Sequence, residues 1–98
     1  MIITKIKKLE DCFDGSLIYS YQFSKAVDEN IMNSLAKEER LEYYPYFAKP
    51  FYKIFTRDGL QIKGILGEDN LEVTFPVTGQ IEKKKRFEEN LEALLLEY

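Results

Sequence analysis

The chain has no histidine, no tryptophan and one cysteine, Cys12, among its 98 residues. Each absence removes a class of chemistry. Without histidine there is no Ser-His-Asp or Cys-His catalysis within the chain, and no histidine-ligated zinc or iron. A lone cysteine makes neither an internal disulfide, nor a thiolate metal cluster, nor a Cys-x-x-Cys redox pair. Cys12 sits among acids, next to Asp11, and is not read as a reactive nucleophile. Long apolar runs are missing too: nothing approaches the roughly 20 residues a membrane helix needs. The start, MIITKIKKLEDC, has no apolar signal-peptide core. A cytoplasmic location without membrane contact is therefore expected.

What is left for chemistry is carboxylates, lysines, arginines and tyrosines, and they form no catalytic constellation. Glu38-Glu39 and Glu88-Glu89 are adjacent pairs that point apart on helices rather than across a cleft. Glu10–Gly15 reads as a turn, because Cys12 and Tyr21 stand where a calcium loop needs oxygen ligands. No enzyme, cofactor or metal is expected. A composition of 45% hydrophobic and 32% charged residues suits a single globular domain over residues 1–98. The net charge is −3, so nucleic-acid binding, which draws its affinity from phosphate neutralisation, is not expected either.

Periodicity gives the elements. Ile2, Thr4 and Ile6 alternate with lysines, which predicts a strand over 2–8. After the turn residues Asp11, Asp14, Gly15 and Ser16, a second strand alternates Leu17, Tyr19, Tyr21 and Phe23 with polar neighbours. The two read as an antiparallel hairpin with a longish connection. Asp28 is a helix N-cap, and Ile31, Met32, Leu35 and Ala36 share one face of a helix over 29–39. Three strands over 51–75 form a meander, punctuated by Arg57-Asp58-Gly59 and by Gly67–Asn70. Phe87, Leu91, Leu94, Leu95 and Tyr98 then line one stripe of a final helix from 79 to 96. Residues 41–44 read either as a further short strand or as the approach to a loop. The order β-β-α-β-β-β-α predicts an α+β two-layer sandwich: an antiparallel sheet of about five strands with two helices on one face.

The segment Leu41–Phe55 stands out. It holds Tyr43, Tyr44, Tyr46, Phe47, Phe51, Tyr52 and Phe55, half of the chain's seven tyrosines and seven phenylalanines. Pro45 and Pro50 interrupt it, so it is neither one helix nor one central strand. So dense a cluster is either the heart of the core or a contact surface. In the strand 51–55, Phe51 and Phe55 lie on one side and Tyr52 and Ile54 on the other. Either both sheet faces are covered there, or the outer face meets another molecule. Tyr43, Tyr44, Tyr46, Phe47 and Tyr52 are the candidate contact residues.

Two basic features compete with that reading. Lys83-Lys84-Lys85-Arg86 opens the final helix, where the dipole makes cations unfavourable by a few tenths of a kcal/mol each. The run is either a solvated face, with Lys84 and Lys85 reaching Glu88 and Glu89, or an anion-binding site. Basic and aromatic residues also interleave in Phe51–Phe55 and Gln61–Gly64, in the loose manner of sheets that stack single-stranded bases, but no motif of that kind is present. The expectation is a small non-enzymatic cytoplasmic protein acting through protein contacts, self-associating, as a homodimer, through residues 43–55. The alternative is a small-molecule or anion-binding module using the aromatic segment and Lys83–Arg86.

Overall fold

Alternation builds the N-terminal hairpin, whose two strands end in very different surroundings. In the computed structural model, which describes residues 1–98 throughout, β1 (Ile3–Asp11) pairs antiparallel with β2 (Leu17–Phe23). The connection is tighter than expected. The Asp14 carboxylate accepts from the Ser16 amide at 3.0 Å and the Ser16 hydroxyl at 2.6 Å, bonds that also hold its carboxyl below the ordinary range.

Helix α1 (Glu29–Leu35) starts where the cap residue places it: an Asp28 carboxylate oxygen accepts from the Ile31 amide at 2.9 Å. It stops short of residue 39. Ile31 and Met32 are buried and Leu35 and Ala36 pack beside them, while Lys37-Glu38-Glu39 have no apolar side chain to bury. The backbone reverses at Glu38, in the left-handed region with φ 65°, and enters β3 (Arg40–Tyr44). Residues 41–44 are thus a strand, so the sheet has six strands rather than about five.

The meander follows as β4 (Phe51–Phe55), β5 (Gln61–Ile65) and β6 (Asn70–Phe75), then α2 (Gln80–Leu95). All pairings are antiparallel, in the order β1-β2-β6-β5-β4-β3. Gly59, at φ 90°, supplies the left-handed residue that the β4–β5 turn requires. A second glycine matters for space. Gly64 stands opposite Tyr52, and a Cβ on it would come within 2.5 Å of the Tyr52 hydroxyl oxygen. The ring lies over bare backbone that only glycine provides.

Both helices cover one face of the sheet. Ile31 and Met32 of α1, with Phe87, Leu91 and Leu95 of α2, meet Tyr21, Phe23, Tyr52, Ile54, Ile62, Leu71, Val73 and Phe75 from the strands. Phe87 sits edge-on to Tyr21 at 5.4 Å and to Phe75 at 5.8 Å. Burial of each large apolar side chain stabilises by roughly 1.5–3 kcal/mol. The Tyr98 and Ser34 hydroxyls meet and tie the end of α2 to α1. Six strands at about 4.8 Å span about 29 Å, whereas two helices about 10 Å wide cover about 20 Å. One edge is left bare, and it is β1, which has no buried residue.

Candidate functional site

With both helices on one side, the other side of the sheet has no second layer. Strand register fixes what it displays. One row across all six strands runs Glu42, Lys53, Lys63, Glu72, Ser20, Lys7. A second runs Arg40, Phe55, Gln61, Thr74, Ile18, Glu10. On the other flank Tyr44, Phe51 and Ile65 stand in register across β3, β4 and β5. The uncovered face is therefore a charged centre line between two partly apolar margins. Ile18, Phe51, Phe55 and Ile65 are each only partly covered.

At the β3–β4 end the apolar margin thickens into a ring cluster. Tyr44 stacks on Phe51, with centroids 4.6 Å apart and planes at 23°. Phe47, from the Pro-bounded loop, closes the corner 5.2 Å from Phe51 and 6.1 Å from Tyr44. Phe47 stays 59% exposed and Tyr44 37%. The Tyr44 hydroxyl donates to Glu42 at 3.3 Å, and that carboxylate is the main reason its pKa lies above the ordinary tyrosine value. Arg40 lies over the Phe55 ring, 4.2 Å from its centroid.

The sequence candidates divide. Tyr44 and Phe47 belong to this exposed corner, and Tyr46, at the loop tip, is 99% exposed without joining the stack. Tyr43 points to the other face, half-buried against the core, with burial and then the Glu29 carboxylate raising its pKa. Tyr52 is a correction. It is completely buried and its hydroxyl finds no partner in the chain, so it has no place on a contact surface. Burial alone pushes its pKa up. The alternation of β4 decides this: Phe51 and Phe55 face out because Tyr52 and Ile54 face in.

Lys83–Arg86 does not converge. Lys84 is held by Glu88 at 2.7 Å and lies over the Tyr19 ring at 4.7 Å. Glu88 also accepts from the Tyr21 hydroxyl at 2.8 Å, and burial together with that bond raises the Tyr21 pKa. Arg86 reaches Asp58 at 4.0 Å, on a different side of the helix, and Lys85 makes no pair with Glu89.

Ile18 and Ile65 are not among the sequence candidates; Phe51 and Phe55 enter there only within the segment 43–55, and Lys53 and Lys63 only within an interleaved basic and aromatic pattern. The outward side of β4 was readable from its alternation. The partners on β2 and β5 needed the register, which local pattern does not carry. Around Lys53 the face sinks into a depression of about 450 Å³, lined among others by Lys49, Phe51, Lys63, Ile65 and Glu72. No group of three or more acids and cysteines is placed to hold a metal, and no helix is long and apolar enough to cross a membrane. No protein-family model, curated protein or solved structure matches the chain.

Proposed function

We propose that the chain is a cytoplasmic, non-enzymatic binding protein that works through contacts with another protein. The uncovered sheet face and the ring cluster beside it make the contact. One observation carries this reading. Phe51 and Phe55 lie partly exposed on a face with no second layer, and Phe51 continues into the exposed Tyr44–Phe47 corner. An apolar surface continuous across strand and loop is the usual mark of a docking site. Aromatic rings are also the side chains most enriched at contact surfaces.

The edges of the sheet support face docking over strand addition. β1 carries Lys5, Lys7 and Lys8, and β3 is five residues long and is followed at once by Pro45; both devices discourage edge pairing. The anion-binding alternative at Lys83–Arg86 has less behind it, because Lys84 is already neutralised and Arg86 turns away.

The test is the double substitution Phe47→Asp, Phe51→Asp. The expected result is an unchanged far-UV circular dichroism spectrum together with loss of binding by an apolar-surface dye. Light scattering over a concentration series, on both proteins, reads whether the partner is a second copy. Unfolding of the double variant would make the cluster structural and end this reading.

A further inference from the structure

We infer that the partner is an acidic protein, docked on the uncovered sheet face with a carboxylate seated in the depression among Lys49, Lys53 and Lys63. This rests on the reading of that face as a contact surface and specifies what the surface recognises.

The whole chain carries −3, yet the outward strand residues carry five cations, Lys5, Lys7, Arg40, Lys53 and Lys63, against three carboxylates, Glu10, Glu42 and Glu72. The excess is concentrated where it is least comfortable. Lys53 and Lys63 stand directly opposite each other on neighbouring central strands, and like charges in that position repel. Lys63 is relieved by Glu72 at 3.4 Å, and Arg40 has Glu42 at 3.7 Å. Lys53 stands opposite Glu42 on β3 as well, but that carboxylate pairs with Arg40 and Lys53 makes no salt bridge, although its side chain is partly covered.

A carboxylate in the depression would share its lining with Lys53, which makes no salt bridge, and with Lys63 and Lys49, which already pair with Glu72 and with Glu68 at 3.9 Å. Phe51 and Ile65 on the same wall supply apolar contact to whatever carries it. The lysine pair is thus unfavourable in the free protein and favourable in the complex, which is how charge complementarity gives specificity.

Charge also separates the other occupants. A second copy docked face to face by a two-fold axis would set a surplus of cations against the same surplus. A nucleic acid needs a continuous basic track. Here Glu42 and Glu72 interrupt the centre line, and the surface outside this face is more acidic than the chain as a whole.

The test is a ¹⁵N–¹H NMR titration of the full chain with a poly(Glu,Tyr) copolymer at low salt, with poly(U) and poly-lysine in parallel. Two variants of equal charge change are compared: Lys53→Gln/Lys63→Gln, and Lys83→Gln/Lys85→Gln. The expected result is a set of amide shifts over β4 and β5 with poly(Glu,Tyr). Affinity should fall about tenfold in the Lys53/Lys63 variant and stay unchanged in the Lys83/Lys85 variant. The double replacement by arginine should restore it, which guards against a folding artefact. Equal loss in both glutamine variants, shifts confined to α2, tighter binding of poly(U), or no binding at all would each overturn the inference. A dimer dissociated by Phe47→Asp/Phe51→Asp would overturn it too while leaving the contact reading standing. Unfolding of that variant would remove both.

Discussion

The two sides of β4 differ by one residue in sequence and by almost everything in surroundings. Tyr52 and Ile54 are completely buried under the helices, while Phe51 and Phe55 rest on a face that nothing in the chain covers. Both sides are apolar, so hydrophobicity alone does not say which belongs to the fold. The difference lies in what each side meets. The inner pair touches a second layer of side chains, and the outer pair touches only its neighbours on the same sheet. The inner side is sealed by the fold, and the outer side is left uncovered by it. Substitutions that act on one side only are the means of checking this.

The largest contrast is between Ile54→Ala and Phe55→Ala. Removing a fully buried isoleucine leaves a cavity and should cost about 2–5 kcal/mol. Phe55 loses only partial burial and the Arg40 contact, so its truncation should cost under about 1 kcal/mol. Chemical denaturation with urea measures both. Equal losses would mean that the outer face is as structural as the inner one.

Gly64→Ala comes next. The new methyl group must displace the Tyr52 ring, which has no room to move in the core, and overpacking of this kind costs about 1–3 kcal/mol. A neutral result would place the ring elsewhere than over the Gly64 backbone.

Much of this fold is legible in the sequence, and the reasons are local. The alternation in 17–23 and 71–75, the Asp28 cap and the Phe87–Tyr98 stripe each depend on neighbouring residues, and each element appears where its pattern lies. Residues 41–44 were ambiguous because a five-residue strand beside a Pro-bounded loop has too few positions to show a period. Lys37–Glu39 are compatible with a helix running to residue 39, but the need to reverse toward β3 ends α1 at Leu35. The place of Tyr52 in the core, not on the contact surface, has a longer-range cause. Aromatic density marked the segment as a whole, whereas the face each ring occupies follows from strand parity, and the space for Tyr52 follows from a glycine twelve residues away.

Tyr52→Phe should act in the opposite direction. It removes a buried hydroxyl that has no partner in the chain, and stability should rise by about 1 kcal/mol. The same hydroxyl sets an alkaline limit. Its pKa is raised in the folded state above the ordinary 10.0, so the unfolded chain gives up the proton first. Its contribution is intact below pH 10 and is lost as pH rises beyond that, because ionisation draws the chain toward the unfolded state. Tyr21, raised by burial and by Glu88, adds to the same slope. Thermal melts at pH 9 and at pH 11 should therefore diverge less for Tyr52→Phe than for the parent chain. An unchanged difference would mean that the hydroxyl ionises as easily in the folded chain as in the unfolded one, so that it is not sealed from water.

The smallest effect bears most directly on the outer face. Lys53→Gln removes one of two like charges set opposite each other and breaks no salt bridge, since Glu42, its neighbour on β3, pairs with Arg40. Relief of that repulsion should stabilise the free protein by about 0.2–1 kcal/mol. For an ordinary solvated lysine the substitution should be neutral, and for a lysine that packs usefully along the sheet it should be unfavourable. A gain is the result expected of a residue that binding, not folding, requires, because the free fold is then better off without it. A rise in the urea midpoint with an unchanged slope would place Lys53 in that class. A fall would return it to the structure, and the uncovered side of β4 would then need no partner to explain its charges.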